Sequence, residues 1–191
     1  MQRKSKLAIF DLDGTLFDTK NVNYAAYSKA MKICGIEENI DYTYYCQLCN
    51  GNNYKVFLPH IVAGITDEKM WEVHDIKKQL YKKYLHLARI NEHLFTMIEL
   101  IRPKYQIALV TSASKDNVID ILNEFNRADK FDLIITQEDV GRTKPDPECF
   151  EKAILQSKVR LRDTIIFEDS ESGIKAAKLS GAQYIRVFGY N

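Results

Sequence analysis

Residues 6–15 read KLAIF followed by DLDGT, an apolar run that ends directly in two aspartates and a glycine. An uninterrupted run such as Lys6–Phe10 is typical of a strand covered by helices on both faces of a sheet. In open α/β sheets, ligands bind at the carboxyl ends of the strands. Asp11 and Asp13 can therefore point into one site, and Gly14 lets the chain turn sharply beside them. Taken alone, the same residues are also compatible with a polar turn.

Four later segments repeat the apolar character of this first strand. They lie at Gln106–Val110, Asp132–Thr136, Thr164–Phe167 and Tyr184–Phe188. Helical patterns separate them. One helix is predicted to start with Asp146 as N-cap and Pro147 as first helical residue, and another to run from Ser170 to Ser180 with Gly181 as its C-terminal cap. This alternation predicts an α/β fold with a Rossmann-like, doubly wound parallel sheet.

The stretch between the first two strands breaks the alternation. Apolar residues recur there at helical spacing in two stripes, Val22 to Ile33 and Val73 to Leu87, and no strand pattern lies between them. We therefore expect an all-helical domain inserted after the first strand. The predicted boundaries give a core domain of residues 1–16 and 90–191 and a helical insert of residues 17–89.

Polar side chains follow three more of the predicted strands, as the two aspartates follow the first. They are Thr111 and Ser112 after the second strand, Lys144 after the third, and Glu168 and Asp169 after the fourth. Because the carboxyl ends of parallel strands meet at one edge of a sheet, we expect all of these side chains to lie close together.

The charges of this set point to a metal ion and a phosphate. Asp11, Asp13, Glu168 and Asp169 in one crevice would be untenable without a cation. Carboxylate oxygens beside a phosphate suit Mg²⁺. Lys144 would add a fixed positive charge against the phosphoryl group, and the hydroxyls and N–H groups after the second strand could hold its oxygens.

The composition is that of an ordinary globular protein. The 191-residue chain has 27 Lys and Arg against 26 Asp and Glu, a net charge of +1 that gives no indication of a nucleic-acid or membrane-surface partner. No apolar run approaches the length of a membrane span, and the basic N-terminus leads into a strand rather than a signal-peptide core. We expect a cytoplasmic protein, monomeric or weakly dimeric, whose four cysteines are reduced thiols.

The strand-end motifs closely resemble those of the haloacid dehalogenase-like superfamily. In this chain they are Asp11-Leu12-Asp13-Gly14-Thr15, Thr111-Ser112, Lys144 before Pro145, and Glu168-Asp169-Ser170. The resemblance covers essentially the whole chain. The position of the insert is similar to that in the helical-cap subclass, subfamily I, which includes phosphoglycolate phosphatases and β-phosphoglucomutases. The resemblance therefore implies a phosphatase of this type, with the insert as its cap.

The resemblance implies a two-step phosphoryl transfer. Asp11 would attack phosphorus and form an aspartyl-phosphate. Asp13 would protonate the leaving oxygen and then take a proton from the hydrolytic water. The implied ligands of Mg²⁺ are Asp11, the backbone carbonyl of Asp13, Asp169, and Glu168 either directly or through water.

The resemblance also implies which groups bind the transferring phosphoryl oxygens. Lys144 and Thr111 would do so with their side chains, and Leu12 and Ser112 with their N–H groups. Whether Thr111 or Ser112 supplies the key hydroxyl stays open, although Thr111 is favoured because it directly follows the strand.

Three alternatives to a phosphatase have their own signatures. The dehalogenases of the superfamily generally lack the second acid, so Asp13 argues against that chemistry. Sugar-phosphate mutases such as β-phosphoglucomutase carry a histidine in the first cap helix, where this chain has Asn23, so hydrolysis is preferred. A non-catalytic binding or scaffolding protein would usually have lost Asp11 or Lys144, and both are present.

The insert gives weaker signals about the substrate. It has no arginine between Leu16 and Ala88, so a bidentate clamp on a second phosphate or carboxylate is not expected from it. The turn that contains Gly51 and Asn52 is similar to the substrate-facing cap turn of the family, and Lys55 is a second candidate for substrate binding. We expect a small phosphorylated metabolite, such as a sugar phosphate or nucleotide, with a largely neutral leaving group.

Overall fold

A computed structural model describes residues 4–49 and 53–188 of the chain. The strands in these ranges are β1 (Lys6–Phe10), β2 (Phe17–Asp18), β3 (Arg89–Ile90), β4 (Tyr105–Val110), β5 (Leu133–Ile135), β6 (Thr164–Glu168) and β7 (Gln183–Arg186). Five of them form a parallel sheet in the order β5-β4-β1-β6-β7. With helices flanking this sheet, the predicted Rossmann-like α/β fold is confirmed.

The helices alternate with the strands of the sheet, except in the insert, where they follow one another. The α-helices in the described ranges are α1 (Lys20–Ile33), α2 (Tyr42–Tyr44), α3 (Tyr54–Ile61), α4 (Asp67–Tyr81), α5 (Glu92–Ile101), α6 (Lys115–Glu124), α7 (Glu148–Ser157) and α8 (Glu171–Ser180). A π-helical turn, Tyr45–Cys49, continues α2. Short 3₁₀ turns lie at Lys82–Leu87, Ala128–Lys130, Gln137–Asp139 and Leu161–Asp163.

Strand β1 lies at the centre of the sheet, and all of its residues after Lys6 are apolar. Its residues Leu7, Ala8, Ile9 and Phe10 are fully buried. β1 pairs in parallel with β4 on one side and with β6 on the other. The strand that leads to Asp11 is thus covered on both faces and held on both edges, which fixes where its carboxyl end lies.

Two helix ends show how local chemistry sets the boundaries. Ser170 caps α8 through its side chain, and Gly181 ends α8 in the left-handed conformation, as predicted. The predicted N-cap Asp146 is wrong by one position, because Pro147 occupies the N-cap of α7. The Asp146 carboxylate instead accepts a hydrogen bond from the N–H of Glu148 at 3.0 Å.

The third and fifth predicted strands have different ends in the structure. The third begins at Leu133, because the Asp132 carboxylate accepts hydrogen bonds from the Ile107 N–H and from Lys4, both at 2.9 Å. The fifth begins at Gln183 and ends at Arg186. Apolar composition alone does not locate such ends, since they depend on neighbouring chain segments.

The chain divides into two compact units. The first unit contains the residues up to Asp18 and from Arg89 onward, and the second unit spans Thr19–Ala88. In the first unit, β2 and β3 pair antiparallel, with Phe17 opposite Ile90. The sequence did not predict this ribbon, because strands of two residues show no periodicity.

The regular elements among the described residues of the second unit are all helical, and the unit has a hydrophobic core of its own. Tyr27 of α1 meets Phe57 of α3 edge to face, with ring centroids 5.1 Å apart. Met31, Leu58 and Val73 are buried in the same cluster. The helices of this unit therefore pack against one another through a shared apolar cluster.

We predict that Leu109→Ala lowers the free energy of unfolding by about 2–5 kcal/mol, because Leu109 in β4 is fully buried and its removal leaves a cavity. Urea unfolding monitored by circular dichroism measures the change. The control is Leu100→Ala on α5, where the side chain is 76% exposed, with an expected change within about 0.5 kcal/mol. Equal losses in the two variants would contradict the assigned burial.

Candidate active site

Three neighbouring strands of the sheet, β4, β1 and β6, end at the same side of the sheet. Polar residues that the sequence analysis singled out lie at their carboxyl ends. β1 ends before Asp11, β4 before Thr111, and β6 runs into Glu168 and Asp169. The backbone still follows the sheet there, since the Asp11 N–H donates to the Phe167 carbonyl at 3.0 Å. The site thus lies at the carboxyl edge, where open α/β sheets bind ligands.

Lys144 joins two of these strand ends through its ammonium group. Its Nζ lies 2.6 Å from Asp11 Oδ1, 2.8 Å from Glu168 Oε2 and 3.2 Å from the Val110 carbonyl oxygen. The side chain of Lys144 is only 5% exposed, that of Asp11 8% and that of Glu168 1%. An ammonium has three N–H donors, so these three acceptors use all of them. Burial alone would lower the pKa of Lys144, but Asp11 and Glu168 outweigh it and raise that pKa.

The acids around Lys144 are more numerous than its single charge can balance. Asp11, Glu168 and Asp169 each offer an oxygen, and these oxygens lie within 4.8 Å of one another. Burial, and then the charge of Glu168, raises the pKa of Asp11 well above its ordinary value. The same two causes raise the pKa of Asp169 to about 6.

This donor set fits a divalent cation. Three carboxylates facing one ammonium would leave two negative charges in a largely buried space, and hard oxygen ligands prefer hard cations. The side chain of Asp13 is not part of this group of oxygens. The predicted contribution of Asp13 to a metal is through its backbone carbonyl, and its loop is tight, since the Gly14 N–H donates to the Phe17 carbonyl at 2.7 Å.

Two glycines let the carboxylates approach the backbone. A Cβ on Gly14, whose φ is +91°, would lie 2.1 Å from Asp169 Oδ2, and a Cβ on Gly173 would lie 2.0 Å from Glu168 Cδ. The motif reading included Gly14 for its turn. It did not single out Gly173, because the glycine is five residues beyond Glu168 and only the fold of α8 brings the two together.

Hydroxyl groups orient the two acids of the fourth motif. Ser170 Oγ donates to Glu168 Oε1 at 2.7 Å, and the Ser170 N–H donates to the same oxygen at 3.1 Å. Thr15 Oγ1 donates to Asp169 Oδ1 at 3.2 Å. Sequence reasoning assigned neither hydroxyl a role in the site, although both residues stand inside the quoted motifs.

The second motif differs between its two hydroxyl residues. Thr111 is buried, and its Oγ1 accepts a hydrogen bond from the Ala113 N–H at 3.0 Å. Ser112 is exposed. The Thr111 hydroxyl is therefore held in place, which favours Thr111 as the hydroxyl of this motif.

The predicted substrate-binding residues have different positions. Leu12 is buried in the loop after β1, so only its backbone can face the site. Lys55 lies in α3 of the second unit, and its N–H donates to the Asn53 side chain at 2.9 Å. Gly51 and Asn52 lie outside the described residues. The structure thus brings together Asp11, Lys144, Glu168 and Asp169.

Comparison with known proteins identifies the family of the chain. A family model described as haloacid dehalogenase-like hydrolase matches residues 8–187. A phosphorylated carbohydrates phosphatase of Thermotoga maritima is 27% identical over 95% of this chain and 83% of its own length. A phosphoglycolate phosphatase of Vibrio vulnificus is 25% identical over 100% of this chain and 87% of its own.

Solved structures share the fold. The crystal structure of CbbY from Rhodobacter sphaeroides in complex with phosphate superposes with a TM-score of 0.86, at 23% identity, over 97% of this chain and 87% of that one. No helix in the described ranges is long and apolar enough to cross a membrane. The resemblance predicted from the motifs, including its helical-cap branch, is confirmed.

We predict that Gly173→Ala destabilises the protein by about 1–3 kcal/mol, because the new Cβ must displace a carboxylate that Lys144 and Ser170 hold. The higher helix propensity of alanine works in the opposite direction, so the loss is attributable to the clash. Gly141→Ala is the control, since its Cβ would meet Glu148 only at 3.6 Å. Equal unfolding midpoints in urea for the two variants would contradict the close approach of the Glu168 carboxylate to Gly173.

The pKa of Asp169 predicts how stability depends on pH in the metal-free protein. A pKa of about 6 in the fold, against about 3.9 in an unfolded chain, means that the folded state binds the proton more tightly. Stability should therefore fall by about 1 kcal/mol between pH 5 and 7.5.

Urea unfolding at pH 5 and 7.5 in a chelator measures this change. Asp169→Asn should reduce the loss, though not remove it, since the raised pKa of Asp11 acts in the same direction. Added Mg²⁺ should restore stability at pH 7.5 to the wild type and much less to Asp169→Asn. An unchanged pH dependence in Asp169→Asn would contradict the assignment.

Proposed function

Because the chain belongs to the haloacid dehalogenase-like hydrolase family, we propose that it is a Mg²⁺-dependent phosphatase that hydrolyses a small phosphate monoester through an aspartyl-phosphate. One observation carries the proposal. A buried lysine contacts two carboxylates at 2.6 and 2.8 Å, with a third carboxylate beside them, at the carboxyl ends of adjacent parallel strands. This arrangement suits a group that brings both negative charge and a counter-ion.

The residues that would hold Mg²⁺ are Asp11, Glu168 and Asp169, with the backbone carbonyl of Asp13. When bound, the ion supplies positive charge that offsets the repulsion between a carboxylate nucleophile and the phosphoryl oxygens. Thr15 and Ser170 keep the Asp169 and Glu168 oxygens oriented for that role.

The first chemical step forms a covalent bond to Asp11. A carboxylate oxygen of Asp11 attacks phosphorus while the bond from phosphorus to the leaving oxygen breaks, and Asp13 gives its proton to that oxygen. In the second step the Asp13 carboxylate takes a proton from water, the water oxygen bonds to phosphorus, and the Asp11–phosphorus bond breaks. The products are an alcohol and inorganic phosphate.

We propose Lys144 and Thr111 as the side chains that stabilise the charge on the phosphoryl oxygens. Asp11 and Glu168 position Lys144, and the Ala113 N–H positions Thr111. Because three acceptors occupy the three N–H donors of Lys144, at least one of them must turn to a phosphoryl oxygen when phosphate binds. The N–H groups of Leu12 and Ser112 are further proposed donors.

For the substrate we propose a sugar phosphate or a related metabolite with a largely neutral leaving group. The support comes from a relative named as a phosphorylated carbohydrates phosphatase. It also comes from the second unit, which has no arginine to clamp a second phosphate. Lys55, Gly51 and Asn52 remain the proposed contacts to the leaving group.

Hydrolysis is preferred over mutase activity because of Asn23. Where mutases carry a histidine, the Asn23 amide donates to Thr19 Oγ1 at 3.2 Å in the first turn of α1. An amide cannot exchange a proton as an imidazole does.

We predict that Asp11→Asn lowers kcat for every substrate by roughly 10³-fold or more, because the amide cannot form the phospho-enzyme. A panel of phosphorylated metabolites with Mg²⁺, read by phosphate release, measures the loss. Reading the same panel for sugar-phosphate isomers, with and without bisphosphate, tests mutase activity.

The control for this variant is Asp129→Asn, which makes the same chemical change at a side chain that is 73% exposed. It should keep the wild-type rate. Phosphate release that survives in Asp11→Asn would overturn the mechanism, and isomer formation without phosphate release would overturn hydrolysis.

A further inference from the structure

A recess lies near the amino ends of β6 and β7, at the end of the sheet opposite the acidic residues. It has a volume of about 400 Å³ and is lined by Glu151, Ile154, Leu155, Lys158, Val159, Leu161 and Ser180. Leu161 comes three residues before β6 begins, and Ser180 three residues before β7 begins. The recess therefore lies where strands start, whereas the candidate active site lies where they end.

The recess contains exposed apolar side chains that are not buried in the hydrophobic core. Leu155 is 77% exposed and Leu161 is 43% exposed, and both line the same recess. Single exposed leucines are ordinary on protein surfaces, but leucines that share a recess form an apolar patch. Such a patch is stabilised when another surface covers it.

Charges bracket this patch in a particular order. Glu151 lies in the first turn of α7 and Leu155 near its C-terminal end, and Lys158 is the C-cap residue that follows the helix in the left-handed conformation. All three are exposed and line the recess. Neither Glu151 nor Lys158 forms an ion pair with another described residue. In chain order, α7 and its C-cap thus present an acid, a leucine and a base to the recess.

We propose that this face, defined by Glu151, Leu155, Lys158 and Leu161, is a self-association surface on which a second copy of the chain packs its own α7 in the antiparallel direction. A two-fold axis close to Leu155 places Leu155 against Leu155 of the second copy. The same axis places Glu151 against Lys158 of the second copy, and Lys158 against Glu151. The order of charges makes the face complementary to itself, as an isologous contact requires.

The contributions to this contact differ in kind. Burial of the leucines supplies most of the association free energy, while the two symmetric ion pairs set the antiparallel direction and add little each. One helix per copy buries less than the standard interface of about 1,600 Å². We expect a reversible dimer with a Kd of roughly 1–100 μM.

Sedimentation equilibrium on the full chain, from about 1 to 500 μM, tests the self-association. Leu155→Glu should raise the dimer Kd by about tenfold or more, because it places two like charges at the axis. The control is Leu100→Glu on α5, an equally exposed leucine at 76%, which should leave the Kd unchanged. Both variants should unfold at the wild-type urea midpoint, because neither side chain is buried.

Exchange of the charges tests the direction of packing. Glu151→Lys and Lys158→Glu should each raise the Kd by about 3–10-fold, since each creates two repulsive contacts. The double exchange should return the Kd to within about twofold of the wild type. Lys158 has a φ of 54°, a conformation about as unfavourable for glutamate as for lysine. The exchange also reverses two charges that favour the dipole of α7, so the urea midpoint of each variant is measured beside its Kd.

Three results would overturn the proposal. They are a wild-type chain that stays monomeric up to about 500 μM, a dimer that Leu155→Glu does not weaken, and a double exchange that fails to restore association. None of these depends on phosphatase activity, so the proposed function and this surface stand or fall separately.

Discussion

The contact of Lys144 with Asp11 and Glu168 constrains the rest of the site. An ammonium and two carboxylates with almost no exposed surface are stable only as a set, since removal of one partner of a buried ion pair costs about 3–5 kcal/mol. Lys144 also donates to the Val110 carbonyl, so it ties the side chains to the end of β4. The geometry of the proposed nucleophile is therefore inseparable from the loop that carries the lysine.

The order of strands makes this contact possible. Lys144 is 133 residues from Asp11 and 24 residues from Glu168 along the chain. The strand order, with β1 between β4 and β6, brings the segments that contain these residues to the same end of the sheet. Close approach then depends on glycine, since a methyl group at position 14 or 173 would occupy the space of a carboxylate. The apolar strands determine where the acidic residues lie. The two glycines, which have no side chain, determine how closely the carboxylates approach the backbone.

Much of this could be predicted from sequence, because strand ends and charges follow general rules. The convergence of Asp11, Lys144 and Glu168 followed from their places after apolar runs and from the need to balance acids. The contribution of Gly173 could not be predicted, because it acts through a contact with Glu168 that exists only once α8 is folded. The contact of Ser170 with Glu168 is local, but the sequence does not show which way the Glu168 side chain turns. The predicted start of β5 at Asp132 was wrong, because the Asp132 carboxylate accepts a hydrogen bond from the Ile107 N–H of another strand.

The two edges of the sheet are under different constraints. At the carboxyl edge, buried charges contact one another within a few ångströms, so a change in one side chain alters the surroundings of the others. At the opposite edge, Leu155 and Leu161 contribute little to the core, and their replacement is limited mainly by solubility and association. A chain can therefore acquire a self-complementary surface at the strand starts without disturbing the acids at the strand ends. The proposed self-association surface and the proposed active site are separable in this fold because the sheet, about five residues long at β1, lies between them.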